Sequence, residues 1–263
     1  MGQGHQDGGD PDPVKTLRIL SGGAAHGLVE KIRPAFEAAT GRTIDGTFSA
    51  VGAMRDKLLA GEPADVMILS RALIDELAES GHVVAASIRD VARVATSIAV
   101  RAGDKLPAMA TSGDLREVLA AADEIHFPDP AQATAGIHFA KVIRELGQWD
   151  NVVSRLRLAP NGATAMKALA ASTAAHPVGC TQETEIRITP GVTLVAPLPP
   201  GCDLTTVYTA AITTTAQAPA EAAKFIALLG PRASRPPAIK NGGAGGPPRS
   251  QKTRSARYRH PSG

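Results

Sequence analysis

The feature that most constrains this chain is a unit repeated along it: a short apolar strand, a loop of small residues, and a helix starting at that loop. The first copy is residues 16–41, TLRILSGGAAHGLVEKIRPAFEAATG. Leu17, Ile19 and Leu20 suit a buried strand, and nothing bulky follows until the helix. Glycines 22 and 23 let the backbone turn sharply and approach a bound group, while the free N–H groups of the next helix face the same loop. Such an arrangement favours an anion. Leu28, Ile32, Phe36 and Ala39 form the stripe expected to lie on a sheet, Gly41 is a natural stop, and Pro34 predicts a bend near Arg33. The loop has neither the G-x-G-x-x-G spacing of a dinucleotide site nor the lysine of a P-loop. The alternative reading is an ordinary βα unit whose glycines serve packing alone.

The pattern recurs. Residues 43–49 read as a strand, closing in a small-residue loop at 49–53 and a helix carrying Met54, Leu58 and Leu59. Residues 124–128 read as a strand whose Asp-Pro turn leads to a helix over 136–147, and residues 156–158 as one followed by Asn161, Gly162, Ala163 and Thr164 capping a helix over 166–171. Among these copies, 63–69 is a continuous apolar strand, fit for burial on both faces. Residues 70–81 form a helix with Ser70 as N-cap, and 114–122 another. The unbroken β-branched run 90–102 predicts a strand that crosses between two lobes. Short strands are expected at 178–181 and 193–197. A last strand at 207–216 pairs near Ala95, and a final helix covers 219–229, with proline in its first turn.

With 43% hydrophobic residues in 263, the chain can bury a substantial core. Aromatics are only 3%, which argues against base-stacking nucleic-acid modules and aromatic sugar platforms. The net charge of +3 misleads, because eight of the 28 basic residues and none of the 25 acids lie beyond Pro231, leaving residues 1–230 at −5. Residues 1–15 read as a flexible leader and 230–263 as a disordered basic tail. Cys180 and Cys202 read as small buried thiols, without the spacing of a metal site. No run is long enough to span a membrane, and the N-terminal stretch lacks the pattern of an export signal, so the sequence as written predicts a cytoplasmic location.

The segments LSGGAAHGL, TFSAVGAMRDKLLAGEPADVMILS, PDPAQATAGIHFAKVIRELG, NGATAMKAL and TLVAPLPPGCDLTTVYTAAI together resemble the type II periplasmic solute-binding proteins, within them the molybdate-binding branch. The resemblance covers about residues 16–229. It implies an α/β fold of two lobes, with mixed sheets flanked by helices and a ligand cleft between them: residues 16–94 and 208–229 as the first lobe, 95–207 as the second. It also implies a small anion held by neutral donors, delivery to a membrane ABC permease, a periplasmic location and a monomer, with no cofactor, metal or nucleic acid. Carried over residue by residue, the ligand site comprises Ser21, Gly22, Gly23, Ser49, Ala50, Ala135, Gly136, Ile137, Asn161, Gly162, Ala163 and Thr181. This chain departs from the pattern in two places. Gly22 stands where molybdate binders usually have a second serine, and the tyrosine expected after the late strand has no match near Thr181. The same branch includes aconitate isomerase-like proteins, with which the SGG opening is compatible. That alternative needs a base and cations, for which His26, His138, Glu183 and Arg55 are the candidates. An anion-sensing domain inside the cell is a further alternative.

Overall fold

The computed structural model describes residues 16–230, so the expected leader and the segment beyond Gly230 lie outside the described residues. The chain runs β1 (Thr16–Gly22), α1 (His26–Thr40), β2 (Thr43–Ser49), α2 (Val51–Leu59), β3 (Val66–Ser70), α3 (Arg71–Glu79) and β4 (Arg89–Arg101). It continues through α4 (Ser112–Ala121), β5 (Glu124–Pro128), α5 (Thr134–Glu145), α6 (Trp149–Val152), β6 (Leu156–Ala159), α7 (Gly162–Ala171), β7 (Pro177–Gln182) and α8 (Glu183–Ile188). It closes with β8 (Val192–Pro197), β9 (Thr205–Ile212) and α9 (Pro219–Leu229).

The strands follow the order β2-β1-β3-β9-β4-β7-β5-β6, with β8 also on β4. β1 pairs parallel with β2 and β3, and β5 parallel with β6 and β7; β9 and β4 join the two groups by antiparallel pairing. The long strand expected from its β-branched run is β4. Its pairing changes partner midway, with β9 as far as Ala95 and with β7 and β8 from Thr96 or Ser97 onward. Each half therefore has its own parallel core, and the strand ends of both halves meet at the changeover.

Period-two alternation loads both faces of each half-sheet. In the first half, Leu17, Ile19, Val66 and Ile68 face α1 and α9, while Leu20, Met67 and Leu69 face α2 and α3. In the second half, Ile98, Val178 and Cys180 belong to the core with α4 and α5, and Ala99 to the cluster with α7 and α8. An edge-to-face aromatic pair anchors each half: Phe36 with Phe225 at 5.5 Å and Phe127 with Phe139 at 5.4 Å between centroids. Truncating any of these buried rings to alanine costs about 3–5 kcal/mol. Asp65, in the GEPADV segment, is buried; its carboxylate accepts from the N–H groups of Arg18, Gln217 and Ala218. It thereby ties β1 to the start of α9.

Several details correct the sequence reading. α1 is continuous through Pro34; Leu28, Ile32 and Phe36 pack on the core as expected, joined by the buried Val29, whereas Ala39 is exposed. α5 begins at Thr134, two residues ahead of Gly136, and β9 ends at Ile212 rather than running to residue 216. Ser70 stands at the N-cap of α3 but its side chain makes no capping hydrogen bond. α8 was not expected at all. Cys180 and Cys202 are both free and buried, as the sequence reading expected. Among the described residues no helix is long and apolar enough to cross a membrane.

Candidate functional site

At the changeover, the loops leaving β1, β2, β5, β6 and β7 surround a small chamber. Gly23, Ser49, Ala50 and Val51 line it from the first half; Ala133, Thr134, Ala135, Gly162, Thr181, Gln182 and Glu185 line it from the second, and Tyr208 stands on β9. Its free interior is about 20 Å³, room for roughly one water. The two walls touch. Gly52 N donates to the carbonyl of Gln132 at 3.0 Å, Asn161 Nδ2 to Ser49 Oγ at 3.3 Å, and Thr184 Oγ1 to the carbonyl of Ala24 at 2.8 Å. These contacts join the two walls around the chamber.

The chamber is organised around Glu185. The last residues of β7 feed directly into α8, which turns Glu185 back onto its own strand, 5% exposed. Thr181 Oγ1 donates to its Oε2 at 2.6 Å, and the N–H groups of Gln182 and Ala163 also donate to the carboxylate. Burial is the stronger influence and pushes the Glu185 carboxyl up to about 7, against the lowering pull of these three donors. Gly23 and Gly162 have no side chains because there is no room for any. A Cβ on Gly23 would overlap Glu185 Oε1, and one on Gly162 would overlap both Glu185 Oε2 and Thr181 Oγ1. The helix start at α7 thus presents its positive end to a carboxylate supplied by the protein itself.

The residues anticipated from sequence fall into three groups. Gly23, Ser49, Ala50, Ala135, Gly162 and Thr181 line the chamber. Asn161 and Ala163 act at its edge: Asn161 Oδ1 caps α7 by accepting from Thr164 N at 2.9 Å, and Ala163 N–H reaches Glu185. Ser21, Gly22, Gly136 and Ile137 are not among the lining residues. Ser21 is fully buried in β1 and donates to the Gly22 carbonyl. Gly22 leaves space for Val51 and Tyr208, whose Cγ1 and Cε1 would lie 2.7 and 2.9 Å from a Cβ there. Gly136 lets α5 pack on the backbone of Pro128 and Asp129, and the Ile137 N–H is taken by the Ala133 carbonyl.

The four proton-transfer candidates do not share one site: Arg55 and His138 meet at a neighbouring chamber, and His26 and Glu183 lie apart from it. His26 stacks on Phe48 and lies 3.7 Å from Glu30. Glu183 pairs with Arg187 at 2.7 Å on the exposed face of α8. Arg55 pairs with Asp56, and His138 bonds the Cys202 carbonyl at 2.8 Å; both line a neighbouring outer chamber of about 290 Å³ instead. The carboxyl in the chamber is therefore Glu185, two residues from the expected Glu183. Tyr208, from β9, supplies a tyrosine where none was expected. The signal that could have located Glu185 is the pair of small residues facing it, Gly23 and Gly162, but it emerges only once the halves are assembled.

The profile of the family described as bacterial extracellular solute-binding protein matches residues 17–242. An aconitate isomerase from Pseudomonas sp. is 30% identical over 225 residues, covering 82% of this chain and 83% of that protein. The periplasmic molybdate-binding protein of Azotobacter vinelandii superposes with a TM-score of 0.69 at 19% identity, over 82% of this chain and 94% of its own. The sulfate-binding protein SubI of Mycobacterium tuberculosis H37Rv gives 0.65 at 18% identity, over 82% and 81%. These two share the fold.

Proposed function

The chain belongs to the bacterial extracellular solute-binding family, and from that premise we propose that it takes a small unsaturated polycarboxylate into the cleft and moves a proton on it, as an isomerase related to aconitate isomerase. The observation that carries this reading is Glu185, a carboxyl buried in the chamber with its pKa raised to about 7. A general base works best when its pKa lies near the working pH. An allylic proton shift uses the same group twice. Glu185 takes a proton from the carbon beside one carboxylate, the C–H electron pair becomes the new double bond, and the old double bond's pair reaches out to the far carbon. The carboxylic acid then returns its proton there. Atoms balance with no co-reactant.

The donors at the chamber serve the substrate's own charge. The free N–H groups at the start of α5, with Ala135 on the lining, and the Ser49 hydroxyl hold anionic oxygen without burying a lysine or arginine. Those same neutral donors favour a second reading, in which the protein carries an anion in the periplasm to a membrane permease without turning it over. Ultraviolet monitoring of trans- and cis-aconitate interconversion, with calorimetric titration of molybdate and sulfate, separates the two. The isomerase reading predicts turnover that falls by about 10²–10⁴ in Glu185→Gln. Tight oxyanion binding with no turnover by the wild type refutes it.

A further inference from the structure

We propose that Tyr208 is the hydrogen-bond donor that stabilises the charge developing on the substrate's carboxylate as Glu185 withdraws the neighbouring proton. The inference rests on the isomerase reading and assigns a second group to that site. Tyr208 is 3% exposed, on the strand that joins the halves, with its ring packed where Gly22 leaves space. Among the described residues its hydroxyl has no hydrogen-bond partner, although a buried phenol normally finds one. Tyr208 is one of the residues that line the chamber.

A donor left open onto a cleft is satisfied by an acceptor on the ligand. Burial, and secondarily the charge of Glu185, push the phenol's pKa up, so it stays protonated wherever Glu185 titrates. Two groups of opposite duty then face one small space: a carboxyl that accepts a proton and a phenol that keeps its own. This pairing selects a substrate in which the carbon losing the proton bears or adjoins a carboxylate, because only then does charge move onto an oxygen that Tyr208 can reach. Abstraction converts that carboxylate to a more basic enediolate, and the hydrogen bond strengthens as it does so, which lowers the barrier rather than tightening ground-state binding.

The test is Tyr208→Phe, which keeps the ring and its packing. Aconitate interconversion is measured from pH 5.5 to 8.5 for wild type, Tyr208→Phe and Glu185→Gln, with thermal melting alongside. The expected result is a fall in kcat of roughly 10²-fold in Tyr208→Phe. KM stays within about threefold, the pH limb assigned to Glu185 remains, and melting is unchanged. A Tyr208→Phe enzyme as fast as wild type, beside an inactive Glu185→Gln, overturns the inference and leaves the isomerase reading standing. A parallel loss of stability together with equal changes in kcat and KM reduces Tyr208 to a packing role and overturns it too. If the wild type does not turn over at all, the isomerase reading falls, and this inference with it.

Discussion

The two walls of the cleft are built differently. The first-half wall, Gly23, Ser49, Ala50 and Val51, offers backbone, one hydroxyl and small apolar side chains. The second-half wall adds Thr181, Gln182 and Glu185, all buried, with an ionisable group at its centre. In the proposed isomerase both walls hold the anion, the first through Ser49 and the second through the start of α5, and only the second carries a carboxyl able to exchange a proton. On that reading the reactive carboxyl belongs to one half alone.

The sharpest way to break this division is to mutate one residue in each wall. Glu185→Gln should cut turnover by about 10²–10⁴ with modest change in KM. Ser49→Ala should mainly weaken binding, by about 1–3 kcal/mol. Steady-state kinetics on both decide it: a Ser49→Ala defect confined to kcat would erase the distinction.

Stability against pH examines the second wall alone. Glu185 has its folded pKa raised from 4.5 to about 7. The native state therefore holds its proton more tightly than the unfolded chain. Its contribution is fully present below pH 4.5, fades as pH rises, and has gone above pH 7, amounting to about 3 kcal/mol. Urea unfolding of wild type against Glu185→Gln between pH 4.5 and 8 should show this slope only in the wild type. Parallel curves would mean that the carboxyl is not desolvated.

The glycines flanking Glu185 give a smaller and more pointed contrast. Gly162 shares a half with Glu185, so the overlap created by Gly162→Ala persists whether the cleft is open or shut, and should cost about 1–3 kcal/mol of stability. Gly23 faces Glu185 from the other half, and Gly23→Ala can be relieved by opening. It should cost less stability but enlarge the radius of gyration in small-angle scattering. Equal melting losses with unchanged scattering would show that the halves do not move apart.

The smallest expected effect is at the contact between walls. Asn161→Ala removes the α7 cap for about 1 kcal/mol, whereas Ser49→Ala loses only a 3.3 Å cross-cleft bond and should shift melting little.

How much of this the sequence revealed follows the same division. The first wall was readable in part because its chemistry is local: a strand, small residues and a helix start occupy consecutive positions, which located Gly23, Ser49 and Ala50 on the lining, but not that Ser21 would be buried in β1. The two-half α/β fold was readable for the same reason, together with the long run that became β4. Glu185 was not, because ETEIRI alternates polar and apolar residues over only six positions, too short for a helical period to declare itself. Glu183 and Glu185 are equivalent in that string. What separates them is tertiary: α8 turns Glu185 toward Thr181, Gly162 and Gly23, and leaves Glu183 with Arg187 near the surface. Tyr208 escaped notice because β9 reads as core strand, and only the pairing of β9 with β3 and β4 brings one of its side chains to the chamber.

Hydrogen exchange on the substrate itself separates a Glu185 that moves a proton from one that only packs. Aconitate incubated with the protein in deuterated buffer and followed by proton NMR should lose signal at the allylic carbon, or gain isomer, at a rate set by Glu185. Exchange or conversion is expected with the wild type, and its loss, by about 10²–10⁴, in Glu185→Gln. Exchange that persists undiminished in Glu185→Gln would contradict it, as would a wild type that binds aconitate tightly in the closed cleft and moves no proton.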